Sequence, residues 1–122
     1  MIGYVTLGTN DLQRAAKFYD SLLALIGAKR VMEFESSIVW GTSMSAPGLS
    51  VTKPYDKKAA TVGNGVMVAL VVDSKSKVDA VYKKAIELGG KDEGPAGPRG
   101  DNFYAGYFRD LDGNKLNVFC MS

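Results

Sequence analysis

The chain repeats its own pattern after 63 residues, and this repeat limits its fold more than any other feature of the sequence. Matching positions carry apolar strand residues, helix-capping residues, aromatic residues or turn glycines. The pairs are Tyr4 with Met67, Val5 with Val68, Leu7 with Leu70, Asn10 with Asp73, Tyr19 with Tyr82, and Gly27 with Gly90. A sheet covered by one helix leaves its other face bare, so two such units must share that free surface. We therefore expect the two halves to enclose a concave cavity.

Each half predicts one helix. In the first half Asn10 or Asp11 is the cap and Gly27 marks the end. Between them, apolar residues recur at helical spacing: Leu12, Ala15, Ala16, Tyr19, Leu22, Leu23 and Ile26. The second half repeats this pattern, with Asp73 or Ser74 as the cap, Gly89-Gly90 as the end, and an apolar stripe of Val78, Val81, Tyr82, Ala85 and Leu88.

Strands are predicted on both sides of each helix. Runs rich in β-branched and aromatic residues lie at 4–7, 31–35, 38–42, 49–53, 66–72, 103–109 and 115–121. The Gly- and Pro-rich segment 94–98 predicts a loop, and Asp112-Gly113 predicts a hairpin turn. The fold class is α+β, with two βαβββ modules whose mixed sheets curl around a cavity. We predict one domain over 1–122, with a first module at 1–53, a linker at 54–65 and a second module at 66–122.

Strand alternation predicts which side chains line the cavity, because residues two apart share a face of the sheet. In the first strand Val5 and Leu7 match the helix-facing side, which leaves Tyr4 on the free face. The same reasoning leaves Met67 on the free face of the fifth strand and Asn117 on that of the last. We expect Tyr4, Met67 and Asn117 to converge on one cavity, formed either within one chain or across two.

The composition argues against several classes of function. The chain has no His, the usual general base and the commonest metal ligand. Its 15 Lys and Arg against 13 Asp and Glu give a formal charge of only +2, which does not suggest a nucleic-acid partner. No apolar stretch reaches the length of a membrane span and no signal-peptide pattern is present. With Cys120 as the single cysteine, we expect a cytoplasmic protein with neither nucleic-acid nor membrane partner.

Several motifs resemble those of a known family. The chain contains Tyr4-Val-Thr-Leu-Gly-x-Asn-Asp11-Leu, then Phe18-Tyr19, and Gly63-Asn-Gly-Val-Met67-Val-Ala. It ends with Phe108-Arg-Asp-Leu-Asp-Gly113-Asn-Lys-Leu-Asn117. Together with the repeat, these motifs resemble the vicinal oxygen chelate superfamily, which has the glyoxalase, bleomycin-resistance and extradiol dioxygenase fold. The resemblance runs from about Met1 to Met121.

The resemblance implies a metal position that this sequence alters. Catalytic members hold one divalent ion with a His opening the first strand, a His opening the fifth and a Glu in the last. Those positions here carry Tyr4, Met67 and Asn117, whose phenol, thioether and amide supply no strong charge to such an ion. We therefore expect no metal and no cofactor. Glu33 and Glu35 on the second strand are the carboxylates that could serve as relocated ligands.

The leading functional prediction is a bleomycin-resistance-like homodimer that binds a small aromatic or amphiphilic molecule without a metal. Aromatic walls with polar tips suit a flat organic ligand. The candidate ligand-binding residues are Tyr4, Trp40, Met67, Arg99, Tyr104, Tyr107, Asn117 and Phe119, with no catalytic residue assigned. Tyr104 and Tyr107 lie on opposite faces of one strand, so at most one of them faces the cavity. The alternatives are a lyase or dioxygenase of the lactoylglutathione lyase type with relocated ligands, and a degenerate dimerisation domain without a ligand.

Overall fold

The computed structural model describes residues 1–122 and confirms two successive βαβββ modules. The first contains β1 (Tyr4–Gly8), α1 (Leu12–Ala24), β2 (Lys29–Glu33), β3 (Ser37–Gly41) and β4 (Gly48–Thr52). The second contains β5 (Val68–Val71), α2 (Lys75–Glu87), β6 (Lys91–Pro98), β7 (Tyr104–Arg109) and β8 (Lys115–Cys120). Neither helix has the length and apolar content needed to cross a membrane.

Each module forms its own four-stranded mixed sheet. The order is β1-β4-β3-β2 in the first sheet and β5-β8-β7-β6 in the second. β1 runs parallel to β4 and β5 runs parallel to β8, while the other neighbours are antiparallel. The sheets remain separate and do not close into a barrel.

The helices begin at predicted caps and end shortly before the predicted glycines, at Ala24 and Glu87. Asp11 has an extended backbone, and its side chain accepts a hydrogen bond from the Arg14 N–H at 3.1 Å. Ser74 caps α2 in the same way, accepting from the Lys77 N–H at 3.2 Å. Gly27 follows α1 with a φ of +78°, a conformation that other residues adopt at a cost.

The prediction of a loop at 94–98 is wrong, because these residues belong to β6. This strand lies at the edge of the second sheet and pairs only with β7. Its register shifts between Asp92 and Gly94 and again between Gly94 and Gly97. Prolines and glycines are tolerated at such an edge, because one side of the strand needs no ladder donors and bulges absorb the irregular spacing.

The two modules pack through their helices. α1 covers one face of the first sheet, α2 covers one face of the second, and the two helices lie against each other. Nineteen buried residues from both modules form a single apolar cluster on these covered faces. No strand of one sheet lies against a strand of the other. Each sheet therefore keeps one face without a helix, called its open face below.

A polar joint adds to the contact between the modules. It connects the β7–β8 turn, where the predicted hairpin is confirmed, with the segment between β1 and α1. The Tyr19 hydroxyl donates to Asp110 at 2.6 Å, the Thr9 hydroxyl donates to Asp112 at 2.6 Å, and the Asn114 amide donates to the Gly8 carbonyl at 2.9 Å. Burial, reinforced by the Asp110 carboxylate, raises the pKa of Tyr19 well above its ordinary value. Tyr19 therefore remains a neutral donor.

Candidate ligand-binding site

The open face of the first sheet holds a cavity of about 520 Å³, the apolar cavity below. All fourteen lining residues lie between Gly3 and Thr52, and half of them are apolar. They come from β1, β2, β3 and β4 and from the loops that join these strands. The apolar cavity is thus built by the first module alone.

One row of side chains crosses all four strands and forms the floor of the apolar cavity. Thr6 is paired with Ser50, Ser50 with Val39, and Val39 with Met32. Next to this row, Tyr4 is paired with Gly48. A Cβ atom at Gly48 would come within 3.0 Å of a Val39 methyl and 3.7 Å of the Tyr4 Cβ, so this glycine keeps the floor open.

Large apolar side chains surround this floor and remain accessible to solvent. The exposed fraction is 67% for Tyr4, 60% for Phe34 and 68% for Met44. Sequence reasoning found Tyr4 but missed Phe34, Met44 and Met32. The alternation Met32-Glu33-Phe34-Glu35 carries the missing signal, since it places two large apolar residues on one face and two carboxylates on the other.

The expected convergence of Tyr4, Met67 and Asn117 is wrong within a single chain. Met67 precedes β5 and Asn117 lies on β8, so both belong to the second sheet. Neither residue lines the apolar cavity, because the modules pack through their helices and leave the two open faces apart. The alternation itself holds: Asn117 is paired with Ala69 and Tyr107 across the second sheet, on its open face.

Trp40 was predicted as a ligand-binding residue, but the structure places it in the core. Its side chain is 1% exposed and lies on the helix side of the first sheet, with its ring centroid 5.6 Å from that of Tyr19. Its indole N–H donates to Asp20 of α1 at 2.9 Å. The Arg30 guanidinium, bound to both oxygens of Asp20, holds the pKa of that carboxyl below its ordinary value. Trp40 therefore stabilises the contact between α1 and the sheet.

The predicted aromatic residues of the second sheet divide between its faces. The Tyr104 hydroxyl donates to Asp79 of α2 at 2.7 Å, which places Tyr104 on the covered face. Tyr104 was predicted to bind the ligand, but it does not lie on the open face. Tyr107 lies on the open face between two cations, with the Arg99 guanidinium 5.5 Å and the Lys115 ammonium 5.8 Å from its ring centroid. Phe119 stacks on Phe103 with centroids 5.3 Å apart.

Asn117 is an unusual member of this open face. Its side chain is only 2% exposed, and its Oδ1 is buried without any hydrogen-bond partner. An unsatisfied buried carbonyl costs about 1–3 kcal/mol. The oxygen lies below the surface, so a donor from outside the chain would reach it only if the side chains that cover it move.

The residues at the family's metal positions do not fit a divalent ion. Tyr4, Met67 and Asn117 offer a phenol, a thioether and an amide, which bring no strong charge to such an ion. Glu33, one of the two suggested replacement ligands, pairs with Arg30 at 2.9 Å. No three cysteine, aspartate or glutamate side chains of the chain lie close enough together to hold an ion. The donor set gives no basis for a metal-dependent step.

Comparison with known proteins agrees with the fold and extends over nearly the whole chain. Residues 1–118 match the model of the Glyoxalase/Bleomycin resistance protein/Dioxygenase superfamily. A glyoxalase/bleomycin resistance protein from Albidiferax ferrireducens is 33% identical, with a TM-score of 0.90 over 98% of this chain and 97% of that chain. No curated protein matches the chain.

More distant structures share the fold. A glyoxalase/bleomycin resistance protein/dioxygenase family enzyme from Burkholderia phytofirmans is 16% identical, with a TM-score of 0.78 over 98% of both chains. A lactoylglutathione lyase from Agrobacterium tumefaciens is 20% identical, with a TM-score of 0.69 over 98% of this chain and 92% of that chain. The family match and the 33% identical structure establish that this chain belongs to the glyoxalase/bleomycin resistance protein/dioxygenase superfamily.

Proposed function

We propose that this protein binds a small aromatic or amphiphilic molecule on the open face of the first sheet, without a metal ion. The observation that carries the proposal is the apolar cavity of about 520 Å³, whose wall includes the solvent-accessible Tyr4, Phe34 and Met44. Ligand sites in proteins have volumes of about 300–1,000 Å³ and combine apolar walls with a few polar groups. In this cavity the hydroxyl groups of Thr6 and Ser50 supply those polar groups on the floor.

The proposed ligand binds through stacking and burial. A ring laid against the Tyr4 phenol gains an offset aromatic contact, while Met32, Phe34 and Met44 remove its edges from water. Because these apolar groups are already exposed in the free protein, covering them favours binding. This is stoichiometric capture and needs no group that accepts or donates a proton.

We also propose that a second copy of the chain covers the open faces. The chain exposes 7173 Å², whereas a monomer of 13.1 kDa typically exposes about 6,400 Å². The excess of about 800 Å² equals the area that one partner buries in a standard interface. A twofold dimer in which the first sheet of one copy faces the second sheet of the other covers both open faces of each copy.

Such a dimer brings the remaining candidate residues over the apolar cavity. Tyr107 of the partner subunit then faces the bound molecule, with Asn117 of the partner subunit beside it in the sheet. The unpaired Oδ1 of Asn117 is compatible with this arrangement, because side chains that shift on dimerisation would open it to the donor that its own chain lacks. Tyr4 and Asn117 would meet across the interface and not within one chain.

The binding proposal is tested with the neutral fluorescent dye N-phenyl-1-naphthylamine in buffer containing EDTA. Thr6→Trp fills the cavity from an exposed position on its floor and should weaken dye binding more than tenfold. Thr61→Trp adds the same side chain at an exposed linker position and should leave binding unchanged. Equal dye affinity in Thr6→Trp and wild type, or no dye binding by wild type, would reject this site.

The dimer proposal is tested by sedimentation equilibrium. The expected mass is twice 13.1 kDa. Val71→Glu replaces an apolar side chain of β5 that is 68% exposed with a charged one, and it should shift the protein toward the monomer. Tyr55→Glu, at a 95% exposed linker position, is the control and should remain dimeric. A wild-type monomer at all concentrations would contradict the proposal.

A further inference from the structure

A second cavity, about 800 Å³ in volume and called the lysine cavity below, lies at the end of the first sheet. Its wall combines the β1–α1 and β2–β3 loops with the first part of the linker. The ten lining residues are Thr9, Asn10, Ser36, Thr52, Lys53, Pro54, Tyr55, Lys57, Lys58 and Ala59. Three of them are lysines and none carries a carboxylate.

The three lysines have no ionic partner within the chain. All four ion pairs of the structure use arginines, namely Arg14, Arg30 twice and Arg109. Asp56, the nearest carboxylate in sequence, instead accepts the Lys58 backbone N–H at 3.0 Å. Three lysines without an ion-pair partner on one concave surface favour the binding of an anion there.

Hydrogen bonds hold the backbone that carries these lysines. Asn10 and Ala60 bind each other reciprocally: the Ala60 N–H donates to the Asn10 side chain at 2.7 Å, and the Asn10 amide donates to the Ala60 carbonyl at 3.3 Å. Within the segment, the Lys57 N–H donates to the Pro54 carbonyl at 3.0 Å. The linker backbone is thereby fixed against the β1–α1 loop, so the lysine side chains project from fixed positions near the sheet end.

The lysine cavity adjoins the apolar cavity. Thr52, the last residue of β4, lines both of them. The adjacent residues Ser36 and Ser37 divide in the same way, with Ser36 lining the lysine cavity and Ser37 the apolar one. A single elongated molecule that passes over Thr52 would contact both the apolar floor and the cationic end of the sheet.

We infer that the ligand is an amphipathic organic anion whose apolar body lies in the apolar cavity and whose anionic group lies among Lys53, Lys57 and Lys58. This inference rests on the proposed function and adds the charge and polarity of the ligand to it. The anionic group is a carboxylate, a sulfonate or a phosphate, because each offers several oxygens to ammonium donors. A neutral aromatic molecule uses only the apolar part of the site.

The test uses two dyes with the same aromatic body. One is 1-anilinonaphthalene-8-sulfonate, and the other is N-phenyl-1-naphthylamine, which lacks the sulfonate. The variant Lys53→Gln/Lys57→Gln/Lys58→Gln should weaken the sulfonate dye roughly fivefold to tenfold at low salt. It should change the affinity of the neutral dye less than twofold. High salt should reduce the preference of the wild-type protein for the sulfonate dye over the neutral dye, because the lysines are exposed and salt screens their charges.

A matched control separates local from general charge effects. Lys17→Gln/Lys83→Gln/Lys91→Gln changes the net charge by the same amount at exposed positions outside both cavities. It should leave both dyes unaffected. Thr6→Trp should weaken both dyes, which places the body of each in the apolar cavity.

The outcomes distinguish the two proposals. If the neutral dye does not bind wild type, or binds Thr6→Trp equally well, the proposed function fails and this inference fails with it. If the neutral dye binds as expected but replacing the three cavity lysines leaves the affinity for the sulfonate dye unchanged, only the inference is overturned. An equal loss of sulfonate-dye affinity in both triple variants would also overturn it, because the effect would then be one of net charge.

Discussion

The hydroxyl of Tyr19 on α1 donates a 2.6 Å hydrogen bond to Oδ2 of Asp110, although the two residues are 91 positions apart. Asp110 is 6% exposed, and its other oxygen accepts the backbone N–H groups of Asp112 and Asn114. This contact joins the helix of the first module to the β7–β8 turn of the second. It helps to fix the arrangement in which the helix faces meet and the open faces remain free.

Tyr19→Phe should lower the free energy of unfolding by about 2 kcal/mol, because it leaves a buried carboxylate with one donor fewer. Urea denaturation followed by Trp40 fluorescence measures this loss. Tyr82→Phe is the matched control, since the Tyr82 hydroxyl donates to the exposed Asp92 at 2.8 Å. Its loss should be clearly smaller. Equal losses in the two variants would show that the joint adds no special stability.

Asp20 should give the protein an acid-sensitive contribution to stability. The hydrogen bonds from Arg30 lower the pKa of Asp20 below its ordinary value of 3.8. A carboxyl group whose pKa is lower in the folded than in the unfolded protein stabilises the folded state at pH values above its unfolded pKa. This contribution disappears as the pH falls through the folded pKa. The stability advantage of wild type over Asp20→Asn should therefore be complete above about pH 4 and shrink below it. Melting curves from pH 2 to pH 7 measure this stability difference. Arg30→Gln, which removes the partner of Asp20, should also reduce the pH-dependent part of the stability. An advantage that does not vary with pH would refute the assignment.

Substitution of Trp40 should affect the stability of the protein, whereas substitution of Tyr4 should affect ligand binding. Trp40→Phe removes a buried hydrogen bond to Asp20 and part of the core, so it should lower the unfolding free energy by about 1–3 kcal/mol. It should leave the affinity for the neutral dye unchanged. Tyr4→Ala removes an exposed side chain and should weaken the dye severalfold, with stability changed by no more than about 0.5 kcal/mol. Weaker dye binding by Trp40→Phe at a temperature where it is fully folded would contradict this division.

Divalent metal ions should have no specific effect on this protein. The residues at the family's metal positions supply a phenol, a thioether and an amide, so added Mg²⁺, Mn²⁺, Ni²⁺, Zn²⁺ or Fe²⁺ should leave the melting temperature unchanged. An ion bound only to the folded state raises the melting temperature in proportion to its affinity. A raised melting temperature together with near-stoichiometric metal in the purified protein would favour the enzyme alternative.

Except for β6, the order of elements and the faces of several strands could be predicted from the sequence. The caps Asp11 and Ser74 and the apolar stripes define the helices, and alternation places Tyr4 and Asn117 on open faces. Trp40 could not be placed because Ile38, Val39 and Trp40 are all apolar, so β3 shows no alternation. Only its pairing with Leu49, another core residue, reveals its face.

The arrangement of the modules could not be predicted. The pattern inside each module is the same whether its open face or its helix meets the other module. The linker at 54–65 is long enough for more than one arrangement. Contacts such as Tyr19 with Asp110 decide between these arrangements, but they join residues whose spacing in the sequence carries no periodic signal. For the same reason, the sequence alone does not associate the lysines of the linker with the cavity beside them.

The most direct test of metal-free binding on the open face is an amide chemical-shift map. Uniformly ¹⁵N-labelled protein is titrated with N-phenyl-1-naphthylamine in the presence of EDTA. Saturable shifts centred on Tyr4, Thr6, Phe34, Val39 and Ser50 are the expected result. Shifts centred on the covered faces around Trp40 and Phe108, or no saturable shifts, would contradict the account.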